Sequence, residues 1–479
     1  MSAEPRVLPA AEAAPEAAVP LVIVGAGACG LTAALAAHDA GAEVVVLEGD
    51  PVPSGSTSLS AGLIPAAGTR WQRALGIEDS PRRLADDIAA KTGGEADPEA
   101  ALRVAEQSAP AVEWLADRHG VALSLVEGFT YPGHSADRMH GPPSRTGAEL
   151  LASLRAAAEA AGIDIVTSAR VHTLYADAGG RIRAVAFDRP DGSTEVLGCE
   201  ALVLACNGYG GNPERLKRHM PAIADALYFG HAGNRGDALA WGEALGAESR
   251  HLGSFQGHGS VAVPHGILIS WATIMEGGVQ VDRTGRRFSD ESHGYSEQAA
   301  AVLARPGGEA WTVFDERIAA VARQFEDFRN AEAGGAIRSG QDAAALAAAT
   351  GLPAESLADT LAEVDRLAAA GGTDTFGRRF DPARRLAPPY LAVKVTGALF
   401  HTQGGLAVDG DGRVLRPDGG ALPNLYAGGG AACGLSGSGD SGYLSGNGLL
   451  TAVVYGRLAG QAAARDLADA ASEGGETAA

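Results

Sequence analysis

The first fifty residues carry two short apolar runs without alternation, Leu21-Val22-Ile23-Val24 and Val44-Val45-Val46-Leu47. Runs rich in β-branched residues that lack a period of two predict strands covered on both faces, as in a parallel sheet. Between them, Leu31 to His38 is a good helix former. Ile163–Val166 and Ala169–Val171 return as strand, and Arg181–Phe187 with Thr194–Leu197 predict a hairpin about Pro190-Asp191-Gly192. Ala201-Leu202-Val203-Leu204-Ala205 is a second apolar strand, running into the glycine-rich turn Asn207-Gly208-Tyr209-Gly210-Gly211. Residues 80–118 and 144–161 show Ala/Leu helical periodicity.

From about residue 225 the pattern changes. Strand-like pieces, Ile267–Ile274 and Val279–Asp282, precede a helical hairpin formed by Asp342–Ala349 and Pro353–Ala370. Pro353 suits the first turn of the second helix, and Leu357, Leu361, Val364 and Leu367 share one of its faces. After Pro388-Pro389 the chain is glycine-rich up to a last helix, Leu449–Leu467. The order predicts an α/β protein with a discontinuous Rossmann-like domain, 19–225 and 390–470, interrupted by an α+β cap at 226–389. Residues 1–18, rich in Ala, Pro and Glu, and 471–479 are expected to be disordered tails.

At 479 residues the chain is long enough for two domains. A net charge of −20 argues against nucleic acid and anionic membrane partners. The four cysteines, Cys29, Cys199, Cys206 and Cys433, have no redox or metal spacing, so no metal is expected. No run has the length of a membrane span, and the expected location is the cytoplasm.

The chemistry begins at the end of the first strand, with Gly25-x-Gly27-x-x-Gly30 opening the helix and Glu48 closing the second strand. That order suits a dinucleotide: a tight turn, a close approach to a pyrophosphate, and close helix–strand packing. Ala28 and Cys29 would present N–H groups at the positive end of the helix, with Glu48 on an unphosphorylated ribose and Gly49 beside it. FAD and NAD both satisfy this pattern. The loop Ser54–Gly62 could lay backbone N–H groups and hydroxyls against a phosphate or a flat ring; Ser56, Thr57, Ser58, Ser60, Ala61 and Gly62 are its candidate contacts.

Taken together, the VIVGAGACGLTAALAAHDAGAEVVVLE start, the SGSTSLSAG loop and the LVLACNGYGGN turn resemble the flavoprotein superfamily of soluble fumarate reductases and 3-ketosteroid dehydrogenases. NRGDALAWGEALGA, RRFSDES, PPYLAVKVTGALFHTQGGLAVD and the ending LPNLYAGGG…GYLSGNGLLTAVVYGRLAG resemble it too. The resemblance implies FAD, a flavin-binding domain interrupted by a cap, and hydride transfer between a substrate carbon and the flavin. Further cofactor contacts are then expected at Val171, Ala205, Asn207, Gly208, Asp237, Gly404, Gly405, Gly429, Gly430, Gly446, Asn447, Gly448 and Leu449. Gly430 stands where the fumarate reductase-like pattern has a glutamate. Covalent members carry the flavin on a histidine of the early loop; that loop has none here, so FAD is expected to be non-covalent.

By the same resemblance, His258 and His401 match the two substrate histidines of fumarate reductases, whereas the two carboxylate-gripping arginines fall at Tyr295 and Tyr443. Arginine holds a carboxylate bidentately and tyrosine cannot. A tyrosine can hydrogen-bond a ketone oxygen or, ionised, remove the proton beside it, and Tyr295 and Tyr443 look like the base and the ketone-polarising tyrosine of ketosteroid dehydrogenases. The expected activity is an FAD-dependent dehydrogenation, or the reverse reduction, of a C–C bond next to a carbonyl. Its partners would be a ketone or enone and an unidentified electron acceptor. His293 is an alternative acid/base, and Tyr131, His134 and His140 lie in a loop able to reach the pocket. The rival is a fumarate reductase-like reductase of an unsaturated acid, which would recruit Arg138, Arg145 or Arg287. A non-catalytic flavin-binding protein would leave His401 and Tyr443 without a role.

Overall fold

The computed structural model describes residues 4–439 and 441–476. Two sheets organise the chain. The nine-stranded first sheet begins with β1 (Arg6–Pro9), at its edge, and β2 (Ala17–Val24), near its centre. Helix α1 (Ala28–Asp39) leads from β2 to β3 (Val44–Leu47), which pairs with it in parallel, Leu21 opposite Val44 through Val24 opposite Leu47. On the other side of β2 runs Thr194–Leu204, also parallel, and strand Asp164–Val166 extends the sheet beyond β3. From Ala28 to Ala37 every residue of α1 is buried. A helix buried all round is a core element, and here the last helix, Asn447–Glu476, covers its outer side. The two backbones come close at Gly456 and Gly460, where a Cβ would stand 2.5 Å from Cys29 O and 2.2 Å from Ala33 O.

The second, seven-stranded sheet is built on Tyr390–Thr402. That strand takes Phe255–Ala262, Glu309–Asp315 and Ile337–Gly340 antiparallel and Leu227–Tyr228 parallel. The expected cap boundary at 389 therefore falls one residue before the cap sheet's central strand. This strand runs out of the cap core and delivers His401 to the interface with the first sheet.

Several expectations change. Of the segment 1–18, residues 1–3 lie outside the described residues and the rest is not a disordered tail: Arg6–Pro9 pairs with Thr173–Ala176, Arg6 Nε donates to Thr173 Oγ1 at 3.0 Å, and β2 begins at Ala17. An edge strand that is only half covered needs few apolar residues, so composition does not reveal it. At the other end the helix continues to Glu476, and 477–479 lie outside the described residues. Ile267–Ile274 is not one strand but the short strand Ile267–Leu268 followed by the helical turn Ala272–Met275. Pro353 caps its helix rather than opening it, and Leu357, Leu361, Val364 and Leu367 are buried as expected. No described helix is long and apolar enough to cross a membrane.

Candidate active site

A cleft with about 2130 Å³ of open space, its mouth included, runs from the end of β2 to the cap sheet. At one end the three glycines of the turn separate by role. Gly25 has φ +105°, and a Cβ on it would lie 2.6 Å from Ala205 O; a Cβ on Gly30 would lie 1.8 Å from Gly25 O. Both are required by the fold itself. Gly27 is different, because its Cβ would meet nothing nearer than Thr57 Oγ1 at 3.4 Å and would project into the cleft. The space in front of Gly27 is kept for an occupant.

The surrounding side chains hold that cradle rigid. Glu48 accepts from Ala26 N at 2.7 Å and from Asp50 N at 2.9 Å, so its carboxylate fixes the turn as well as lining the cleft. Thr57 Oγ1 accepts from Ala28 N at 3.0 Å and ties the early loop to the start of α1. Asn207, at φ +66°, donates to Ser56 Oγ at 3.0 Å. Asn234 donates to the same oxygen at 2.9 Å, and His231 Nε2 lies 2.8 Å from Asp50. Arg170 pairs with Asp237 at 3.3 Å, both at the cleft wall.

The other end is aromatic. His258, from the cap strand Phe255–Ala262, stacks on Tyr295 with ring centroids 4.7 Å apart and on Phe400 at 5.3 Å. Tyr295 and Tyr443 are 6.0 Å apart, and His401 lies edge-on to Tyr443 at 5.8 Å. Tyr295, at the start of helix Tyr295–Leu303, comes from the cap; Tyr443 comes from the turn that starts the last helix. All five line the cleft. Gly448 N donates to Tyr443 Oη at 3.3 Å, so the helix start holds the phenol oxygen.

Burial sets the protonation states. It holds His258 down to about 3, and with Nδ1 accepting from Ser260 N at 3.2 Å the neutral ring carries its proton on Nε2. His401 is also lowered by burial, partly offset by its bond to the Thr402 carbonyl, and Gln403 Nε2 lies 3.0 Å from its Nδ1. Tyr295 is pushed up to about 12 by burial against smaller opposing hydrogen bonds from Ser445, Gly446 and Tyr443. Tyr443 is raised well above 10, by burial first and the Tyr295 phenol second. Both phenols are protonated near neutral pH.

Some expected residues stand elsewhere. His293 is exposed, 3.7 Å from Glu297, and is absent from the cleft wall, so it neither replaces Tyr295 nor lowers its pKa. Gly30, Ser58, Gly62, Gly208, Gly404, Gly405 and Asn447 do not line the cleft. A Cβ on Gly62 would meet Thr146 O at 2.5 Å and one on Gly208 would meet Thr402 Oγ1 at 1.9 Å. On Gly404 it would meet His251 O at 2.1 Å, and on Gly405 the Ala432 carbonyl carbon at 2.6 Å. These four glycines admit neighbouring chain rather than a flavin ring. Ser58 Oγ closes its own turn on Gly55 O, and Asn447 is buried with both side-chain polar atoms unpartnered.

Of the loop candidates, Tyr131 and Arg145 line the cleft; His134 binds Ser445 O and His140 binds Thr69 behind it. Arg138 is buried in a pair with Asp79 and Asp87, and Arg287 with Glu291 and Asp374. The sequence reading missed Phe229, Asn234, Trp271, Phe325, Asp327 and Phe400. Asn234 lies inside the NRGDALAWGEALGA stretch and Phe400 directly precedes His401, signals that were present; the others come from cap segments without a motif.

A profile of the FAD-binding domain family matches residues 21–449. The chain belongs to this family. It is 31% identical over 467 residues to a probable fumarate reductase from Shewanella frigidimarina, covering 97% of this chain and 78% of that one. The solved open conformation of a flavocytochrome c3 fumarate reductase has TM-score 0.78 at 30% identity, over 96% of this chain and 80% of that chain. The 3-ketosteroid-Δ4-(5α)-dehydrogenase of Rhodococcus jostii, solved with 4-androstene-3,17-dione, has TM-score 0.74 at 25% identity, over 96% and 99%. The protein is an FAD-dependent oxidoreductase acting on C–C bonds. The Gly27 cradle, the N-terminus of α1 and the hydroxyls of Ser56 and Thr57 fit the cofactor's phosphates.

Proposed function

We propose that this flavoprotein interconverts a saturated ketone and its α,β-unsaturated counterpart. One observation supports the choice most directly: the polar side chains at the aromatic end are tyrosine phenols and the imidazoles of His258 and His401, and no free guanidinium stands beside them among the described residues. Of the cleft arginines, Arg170 is paired with Asp237 at the cofactor end. Arg145 is engaged with the carbonyls of Ser124, Gly141 and Leu125.

FAD, when bound, supplies the hydride exchange with the substrate's β-carbon. Tyr443, its oxygen held by Gly448 N–H, donates a hydrogen bond to the ketone oxygen and stabilises the enolate that develops there. Tyr295 exchanges the α-proton. Raised to about 12, it stands ready to donate in the reductive direction; in dehydrogenation the working form is the small phenolate fraction. Stacked His258 is neutral, so it provides no charge to lower Tyr295, and its Nε2–H is a further donor.

The alternative, a reductase of an unsaturated acid, draws on the likeness to fumarate reductases. A dicarboxylate here would leave buried charges unpaired, at a cost of several kcal/mol. Reduced holoenzyme mixed with fumarate or with a cyclic enone tests the choice by flavin reoxidation. The enone is expected to reoxidise it and fumarate to do so poorly; equal or faster turnover of fumarate overturns the ketone reading.

A further inference from the structure

Four carboxylates line the cleft, and three, Glu48, Asp50 and Asp237, belong to its cofactor end. The fourth, Asp327, stands apart. It sits in the first turn of helix Glu326–Ala333, two residues after Phe325, and is half-buried. Among the described residues no cation or hydrogen-bond donor meets its carboxylate; burial and the neighbouring Glu326 raise its pKa, and nothing opposes them. A row of aromatic rings leads toward it. Trp271 lies 6.0 Å from Tyr295, and Tyr131 packs against them and lines the cleft; behind the wall Phe129 is 4.9 Å from Tyr131 and 5.9 Å from Phe325, which lines the cleft again. Asp327 thus lines the same cleft as the two phenols, beyond Phe325 at the end of this row of rings. An acid in a first helical turn gains a little from the helix dipole. That gain would be as large on the solvent side of the helix and does not account for a partly dehydrated carboxylate without a partner at a ligand-sized space.

We propose that Asp327 is the specificity residue of the distal end of the substrate slot, accepting a hydrogen bond from a hydroxyl or ammonium group of the substrate and turning away substrates that end in a carboxylate. The proposal rests on the ketone reading, because the ketone at Tyr443 is what sends the substrate's far end along the aromatic wall. Like charge repels an anion in this half-dry setting, and a donor gives the carboxylate the partner the protein withholds.

The test uses FAD-loaded protein and 4-arylcyclohexanones whose para substituent is hydrogen, hydroxyl, aminomethyl or carboxylate. Kd is read from the shift of the flavin absorption band. The hydroxyl and aminomethyl compounds are expected to bind about tenfold tighter than the unsubstituted ketone, and the carboxylate about tenfold weaker. Asp327→Asn should shrink the spread, and Asp327→Lys should reverse the order of the charged pair. Flavin content and melting temperature establish that both variants are folded. If all four ketones bind alike, or if the order survives in both variants, the proposal is overturned while the ketone reading stands. If no ketone binds either parent or variant, the ketone reading fails and the proposal with it.

Discussion

Gly27 gives the account its cleanest separation of cofactor binding from folding. Its φ of −80° and ψ of −173° are open to any residue, so backbone strain does not require glycine there. Nor does packing, since the nearest atom to an added Cβ is Thr57 Oγ1 at 3.4 Å. Gly27→Val should therefore leave the apoprotein within about 1 kcal/mol of the parent. Its two methyl groups would occupy the space left for the pyrophosphate. Overpacking of this kind costs up to about 3 kcal/mol, which is a loss on the order of 100-fold in FAD affinity. Gly30→Ala is the contrasting variant: its Cβ would lie 1.8 Å from Gly25 O, so it should lose stability and FAD together. The assay pairs fluorescence-quench titration of apoprotein with FAD against thermal unfolding of the same apoprotein. A Gly27→Val protein that binds FAD like the parent would refute the cradle. One that fails to fold would refute the separation of roles.

Because no histidine occupies the Ser54–Gly62 loop, acid or heat should release FAD intact into the supernatant; colour retained in washed precipitate would contradict non-covalent binding. Three histidines are held neutral, His258 down to about 3 and His134 and His140 down to about 4. The unfolded chain takes up protons near 6.5 that the folded chain refuses, so their contribution is complete above pH 6.5 and declines as pH falls toward 4. At pH 5 each should cost roughly 2 kcal/mol, lowering the urea midpoint between pH 7.5 and 5; an unchanged midpoint would mean they titrate freely.

The cofactor end was legible because local sequence and fold coincide there: β2, α1 and β3 lie where Leu21–Val24, Leu31–His38 and Val44–Leu47 predicted them. The strand Thr194–Leu204 was read as two because its halves have different neighbours. Thr194–Gly198 pairs antiparallel in a hairpin, whereas Leu202–Leu204 lies between parallel strands as a continuous apolar run. Ile267–Ile274 was misread because buried apolar runs look alike in strands and in helical turns. Gly404-Gly405 signalled a close approach, but a glycine does not say whether backbone or ligand makes it. Trp271 and Asp327 reach the site from separate cap segments, a placement that only the tertiary packing creates.

The most direct measurement of the central claim is single-turnover flavin reduction, followed by stopped flow, with a saturated cyclic ketone and the parent, Tyr443→Phe and Tyr295→Phe holoenzymes from pH 7 to 10. With Tyr295 raised to about 12, its phenolate fraction grows tenfold per pH unit throughout this range, and the parent rate should climb with it. Tyr443→Phe should be slower by on the order of 100-fold and keep the slope, as expected for one lost oxyanion donor. Tyr295→Phe should fall by ~100- to 10,000-fold and lose the slope. Parent-like rates and pH profiles in both variants would contradict the account, leaving Tyr295 and Tyr443 as packing residues.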